Sequence, residues 1–183
     1  MRAGPGLRDT VSPWVRRWSV LVPAGARVLD VACGGGRHVR WFAGRGCAVT
    51  GIDRDAAALG PLHGLARVVV ADIEADGWPL PGEAFDAVVV TNYLWRALLP
   101  TVVASVAAGG VLIYETFAVG NETVGRPANP DFLLRPGELL QAAADLRVIA
   151  YEDGFVDDPP RFVQRIAAAR EGAPDATPVR YPL

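Results

Sequence analysis

The sequence predicts an α/β protein with a mostly parallel sheet closed by an antiparallel hairpin, and three observations carry that prediction. Short apolar runs alternate with helical or polar stretches as far as Thr116, the pattern of successive βα units. Runs such as Val88-Val89-Val90 are apolar at every position, as expected of strands covered on both faces. The last two apolar runs are separated only by the turn-rich Asp157-Asp158-Pro159-Pro160, which marks a hairpin.

The elements follow in order. An N-terminal helical segment is expected within 1–25 and a first strand over 28–31, which runs into the turn Gly34-Gly35-Gly36. A helix follows over 37–45, then a strand over 48–52 ending on Asp53, a helix over 55–62 and a third strand over 66–70. Strands over 87–91 and 111–116 flank a helix over 94–106. The stretch 117–136, with two glycines and three prolines, is far longer than a routine connection and is expected to be a lid or substrate loop. Pro136 opens a helix over 137–144, since proline suits a first helical turn. Strands over 146–152 and 162–169 form the hairpin, and the tail over 172–183 is expected to be irregular. There is no internal repeat, and a single domain over 1–183 is expected from the length.

Composition narrows the function. A net charge of −2 with 51% hydrophobic residues fits a globular protein and argues against a nucleic-acid partner, which needs a basic excess. No apolar run approaches the roughly 20 residues of a membrane span, and no signal-peptide core is seen, so a cytoplasmic location is expected. All 18 basic residues are arginine; without lysine, P-loop nucleotide hydrolysis and Schiff-base chemistry are excluded. Cys33 and Cys47 match no zinc spacing and are expected to pack as small apolar residues. His38 and His63, far apart, give no metal site.

The chemistry concentrates in 27–53. Glycines let the backbone turn tightly beside a ligand, the following helix offers unpaired N–H groups, and a carboxylate closing the next strand can accept from both hydroxyls of a ribose. A dinucleotide fingerprint would require a third glycine where this chain has Val39. Read from the strand end, the segment is Asp30-x-Ala32-x-Gly34-x-Gly36, an acidic residue followed by small residues at alternate positions. It resembles motif I of the class I S-adenosylmethionine-dependent methyltransferases, with Ala32 where that family often has glycine. The resemblance implies a Rossmann-like, mostly parallel seven-stranded sheet with an antiparallel C-terminal strand, and S-adenosyl-L-methionine as cofactor. The strings Ser12-Pro13-Trp14-Val15 and Tyr114-Glu115-Thr116-Phe117 are similar to small bacterial methyltransferases of the tellurite-resistance and thiopurine type.

Polar residues close four successive strands: Asp30, then Asp53, Asp72 and Asn92 at steps of 23, 19 and 20 residues, about one βα repeat each. Ligands in open α/β sheets bind outside those carboxyl ends, so the four are expected to line one crevice. The resemblance implies that the Gly34–Gly36 turn approaches the methionyl part, with Asp30, Ala32, Cys33, Arg37 and Arg54 also among the cofactor-binding residues. By the same likeness Asp53 holds the ribose, Asp72 and Ile73 meet the adenine, and Asn92 lies near the methionyl amine and the sulfonium. Trp14 and Arg17 are candidates to cover the cofactor, with amphipathic packing as the open alternative. Tyr93, Arg96 and Glu115 are the catalytic candidates, Glu115 being expected to pair with Arg96 or Arg126 because an unpaired buried carboxylate is costly. The expected function is methyl transfer to a small molecule by in-line displacement. An RNA or protein acceptor, favoured by a patch of Arg37, Arg40, Arg45 and Arg54, and a non-catalytic cofactor-binding module remain as alternatives.

Overall fold

A computed structural model of the chain describes residues 10–172 and 179–181; the remaining parts of the expected N-terminal segment and tail lie outside the described residues. Seven strands form one sheet in the order β3-β2-β1-β4-β5-β7-β6. They are β1 (Arg27–Val31), β2 (Ala48–Asp53), β3 (Arg67–Val70), β4 (Phe85–Thr91), β5 (Val106–Phe117), β6 (Arg147–Asp157) and β7 (Pro160–Ala169). β1 to β5 pair in parallel, while β7 inserts antiparallel between β5 and β6.

The all-apolar strand runs are explained by two cores. Leu29, Val31, Val88, Val90 and Leu112 face α4 (Leu99–Ala104) and α5 (Glu138–Ala142). Val28, Val89 and Ile113 face α1 (Pro13–Trp18), α2 (Arg37–Ala43) and α3 (Ala56–Leu59). Cys33 and Cys47 are buried free thiols, as expected.

Helix starts follow local chemistry. The Ser12 hydroxyl accepts from Trp14 N–H and Val15 N–H ahead of Pro13, and Asp55 accepts from Ala57 and Ala58 N–H, each satisfying otherwise orphaned donors. The helix expected over 55–62 tightens to a 3₁₀ turn at Gly60–Leu62, where Pro61 cannot donate its share of the ladder. The helix expected over 94–106 is shorter. Asn92 takes a left-handed φ of 55°, and the Tyr93 carbonyl accepts from the buried Tyr114 hydroxyl at 2.8 Å. Helical structure therefore starts only with a 3₁₀ turn at Arg96–Leu98 and continues as α4, with Pro100 in its first turn. β5, β6 and β7 each run beyond the expected spans.

The stretch 117–136 is folded down rather than loose. Phe117 O accepts from Leu134 N–H and Leu134 O from Val119 N–H, both at 2.9 Å. The Asn121 amide donates to Pro127 O at 3.0 Å and its oxygen accepts from Phe162 N–H at 3.3 Å. Arg96 clamps the base: it donates to both Glu138 carboxylate oxygens (2.7 and 3.0 Å) and to the carbonyls of Asp131 and Leu133.

Across the antiparallel end, Glu115, Arg165 and Glu152 sit opposite one another on β5, β7 and β6. Arg165 donates to Glu115 at 3.2 Å and to Glu152 at 2.7 Å. Removing one partner of a buried pair leaves the other charge uncompensated. Arg165→Ala is expected to lower the free energy of unfolding by about 3 kcal/mol, read from urea denaturation.

Candidate functional site

The turn after β1 alternates left-handed residues, Ala32 (φ 52°), Gly34 (51°) and Gly36 (74°). Cys33 N–H donates to Ile52 O and Gly36 N–H to Cys33 O, each at 2.9 Å. The two glycines have different reasons. A Cβ on Gly36 would collide with the Leu62 side chain, whereas one on Gly34 would meet nothing within 4 Å. Gly36 is thus demanded by packing, while Gly34 leaves open space above the strand ends. Asp53 ties the turn to β2: its carboxylate accepts from Gly34 N–H at 2.7 Å and from Asp55 N–H at 2.9 Å.

A pocket opens beside this carboxylate, lined by Ala32, Asp53, Arg54, Asp72, Ile73 and Tyr93 among others. Asp72 is fixed by Glu74 N–H (3.1 Å) and Ala75 N–H (3.2 Å), and Arg54 approaches it from the exposed rim at 3.9 Å. Desolvation, followed by Glu74, pushes the Tyr93 phenol well above its ordinary pKa, so it is neutral.

Farther along the same edge lies a cleft of about 400 Å³, whose walls include Ser12, Arg37, Asn92, Glu115, Phe117 and Arg161, within the roughly 300–1,000 Å³ of small-molecule sites. Asn92 belongs both to this cleft and to a third hollow under Phe117 and Phe132. Glu115, 4% exposed, accepts from the Ser12 hydroxyl at 2.8 Å and from Arg165 at 3.2 Å. Ser12 N–H donates to His38 Nε2 at 3.2 Å, and Arg37 donates to the Thr91 hydroxyl at 3.3 Å. Beneath the turn, Asp30 lies 4.0 Å from His38 Nδ1. Burial pushes the Asp30 carboxyl up to about 8; burial, then Arg37, drives His38 down to about 3. At neutral pH the two are therefore neutral neighbours rather than an ion pair.

The methyltransferase-domain family matches residues 28–110, from β1 into β5. A curated relative, a ubiquinone biosynthesis O-methyltransferase of Burkholderia ambifaria, is 35% identical over 154 residues, covering 69% of this chain and 66% of its own length. Over residues 28–110 the chain matches a methyltransferase domain, and the curated relative that it resembles is itself a methyltransferase. The chain spans slightly less than two thirds of that relative. TehB from Haemophilus influenzae superposes with a TM-score of 0.68 at 20% identity, over 86% of this chain and 61% of TehB. A TehB-like S-adenosylmethionine-dependent methyltransferase from Corynebacterium glutamicum gives 0.63 at 20%, over 86% and 87%. The likeness to these two is one of fold.

Against those likenesses, the chain distributes the expected residues unevenly. Ala32, Asp53, Arg54, Asp72 and Ile73 share the first pocket, and Tyr93 joins them as a wall, with its hydroxyl buried on the side of Glu74. Arg37, Asn92 and Glu115 share the cleft. Asp30 is buried under the turn, and the Cys33 thiol faces inward against Gly51. Arg96 is corrected: its donors are committed to Glu138 and two loop carbonyls, so it organises the loop and not the cleft. Glu115 pairs with Arg165 and Ser12, not with Arg96 or Arg126. Trp14 is corrected too. Its ring is 2% exposed, packs edge-on to Trp18 and donates to Ile166 O at 3.2 Å, so it anchors α1 to β7 instead of covering the cofactor. Arg17 stacks over Trp18 and reaches Glu152. Arg37, Arg40, Arg45 and Arg54 form no common patch, since they turn to Thr91, Gly35 O, Ser19 O and Asp72 respectively. Sequence reasoning missed Ser12 as a donor to Glu115, and missed Arg161 altogether. A serine ahead of Pro13 could have suggested a helix cap, but nothing local signals where its hydroxyl points.

The fit to the cofactor rests on what these residues offer. Open space above Gly34 and Gly35, a fixed carboxylate at Asp53 and a pocket walled by Ile73 and Tyr93 suit a ribose and a flat base. Gly34→Ala is expected to cost about 1 kcal/mol through strain of its left-handed backbone and to lose cofactor affinity, whereas Gly36→Ala, which adds collision with Leu62 to that strain, costs about 2–3 kcal/mol; thermal melts with and without S-adenosylhomocysteine separate the two. Asp30 and His38 give opposite pH slopes. The raised carboxyl of Asp30 contributes fully below its unfolded value of 3.8, and that contribution is lost as pH rises toward about 8. The depressed His38 contributes fully above 6.5 and loses it as pH falls toward about 3. Asp30→Asn should therefore gain stability relative to the parent between pH 5 and pH 8, read from urea midpoints without cofactor.

Proposed function

We propose that this chain transfers the methyl group of S-adenosyl-L-methionine to a small-molecule acceptor held in the cleft beside Asn92. The observation that carries the reading is the continuity of the strand-end crevice, in which the pocket of Asp53, Asp72 and Ile73 gives way at Tyr93 and Asn92 to the larger cleft. When bound, the cofactor supplies an activated methyl: the acceptor's lone pair forms the new bond to carbon as the S–C pair returns to sulfur, so the protein need only align and shield the reactants.

Each residue then has a role by position. Asp53 accepts from the ribose hydroxyls, its own orientation fixed by Gly34 and Asp55 N–H. Asp72, Ile73 and Tyr93 hold the base, with Arg54 on the rim. The open backbone of Gly34 and Gly35 admits the methionyl part. Asn92, in its left-handed conformation at the end of β4, borders the reacting centre. Phe117 and Pro13 line the acceptor side and exclude water. Glu115 is a positioning residue, since its two carboxylate oxygens tie the start of α1 to β7 through Ser12 and Arg165. The name of the curated relatives supports oxygen as the acceptor atom, and an acceptor ionised in its own right would need no general base. Among the described residues no helix is long and apolar enough to cross a membrane, and the cytoplasm is the proposed location.

Isothermal titration with S-adenosylhomocysteine is the direct test, with saturable binding expected; a folded sample that does not bind removes the proposal. Asp53→Ala is expected to weaken that binding about 10- to 100-fold, the scale of losing charge-assisted hydrogen bonds, while its circular dichroism stays that of the parent. Binding without methyl transfer across a broad acceptor panel would mark a non-catalytic module.

A further inference from the structure

We propose that the cleft selects an amphipathic organic acid, its anionic group held by Arg37, Arg126 and Arg161 and its apolar body lying against Phe117 and the prolines opposite. The proposal rests on the methyltransferase reading above for the identity of the cleft as acceptor site. Three guanidinium groups reach it from three separate segments: the first turn of α2, the folded loop and the first residues of β7. Two acidic residues also line it, Glu115 and Asp158. Glu115 is held by Arg165 and Ser12 and also attracts Arg37, so Asp158 is the carboxylate of the lining that remains opposite Arg126 and Arg161.

Arg126 and Arg161 form no side-chain hydrogen bond or ion pair among the described residues. Arg161 is also near enough to Arg37 to add to the effect of burial, which is the larger, in lowering the Arg37 pKa. Like charges gathered around a concave space are relieved by an anion that accepts from both, and guanidinium groups suit a carboxylate by geometry as well as charge. Much of the remaining wall is apolar, with Val11, Pro13, Phe117, Pro159 and Pro160 standing beside the polar Thr10, Ser12, Asn92 and Asn121. An inorganic anion would leave that surface uncovered, and a neutral apolar ligand would leave Arg126 and Arg161 without a partner among the described residues. The charge of the lining reverses along the edge. Asp53, Asp72 and Glu74 border the nucleoside end, where Arg54 is the one cation.

The test compares phenylacetate, cinnamate and octanoate with their methyl esters, titrated calorimetrically into protein with and without saturating S-adenosylhomocysteine. At least one acid is expected to bind saturably and about tenfold or more tighter than its ester. Arg161→Gln and Arg126→Gln, both at positions free of structural pairing, are expected to erase that preference while leaving S-adenosylhomocysteine affinity unchanged. No saturable binding of any acid, equal binding of acid and ester, or a preference that survives both substitutions would overturn the proposal. Failure of S-adenosylhomocysteine itself to bind would instead remove the cofactor reading, and the titrations without it would still decide whether the arginines hold a carboxylate.

Discussion

A carboxylate taken out of water must be given donors, and the buried side chain of Glu115 imposes that requirement on half the molecule. One oxygen draws in Ser12, and with it the start of α1; the other draws in Arg165 from β7, which in turn holds Glu152 on β6. Three strands and the N-terminal segment thus converge on a single charge. The segment is held a second time where Ser12 N–H meets the neutral His38. The acceptor side of the site exists because these pieces are drawn together there.

The cofactor side depends on a different economy of atoms. Asp53 spends its carboxylate twice on backbone N–H groups, which sets the turn of β1 against the end of β2 before any ligand arrives. That is preorganisation in the usual physical sense: the group that must meet the ligand is already oriented, so less ordering remains for binding to impose. The switch in strand order on either side of β1, with β2 to one flank and β4 to the other, opens the crevice that this arrangement serves.

Most of the fold was legible because its signals are local. The alternation of apolar runs, the glycine turn and the hairpin each follow from a few neighbouring residues, and each appears in the structure. The strand-end positions of Asp53, Asp72 and Asn92 were legible for the same reason, since one βα repeat fixes their period. What was not legible was long-range partnering. Trp14 and Arg96 look like site residues because aromatic and cationic groups near a crevice usually invite that reading; only the tertiary structure reveals that Ile166 and Glu138 claim them. Arg165 could have been inferred opposite Glu115 only with the register of the hairpin against β5, which no local pattern specifies. The helix expected over 94–106 was overstated because its apolar spacing continues through Tyr93 and Trp95, where a left-handed Asn92 and a carbonyl committed to Tyr114 forbid it.

The clamp made by Arg96 at the root of the long loop has an evolutionary corollary. Because the guanidinium fastens Asp131 and Leu133 to α5, the segment around Gly125 and Arg126 is cantilevered from a fixed base and shares no bond with the Asp53 cradle. Insertions or exchanges at that tip would reshape the chamber for a new acceptor while the cofactor machinery stayed intact, so diversification of substrate need not be bought with loss of the fold.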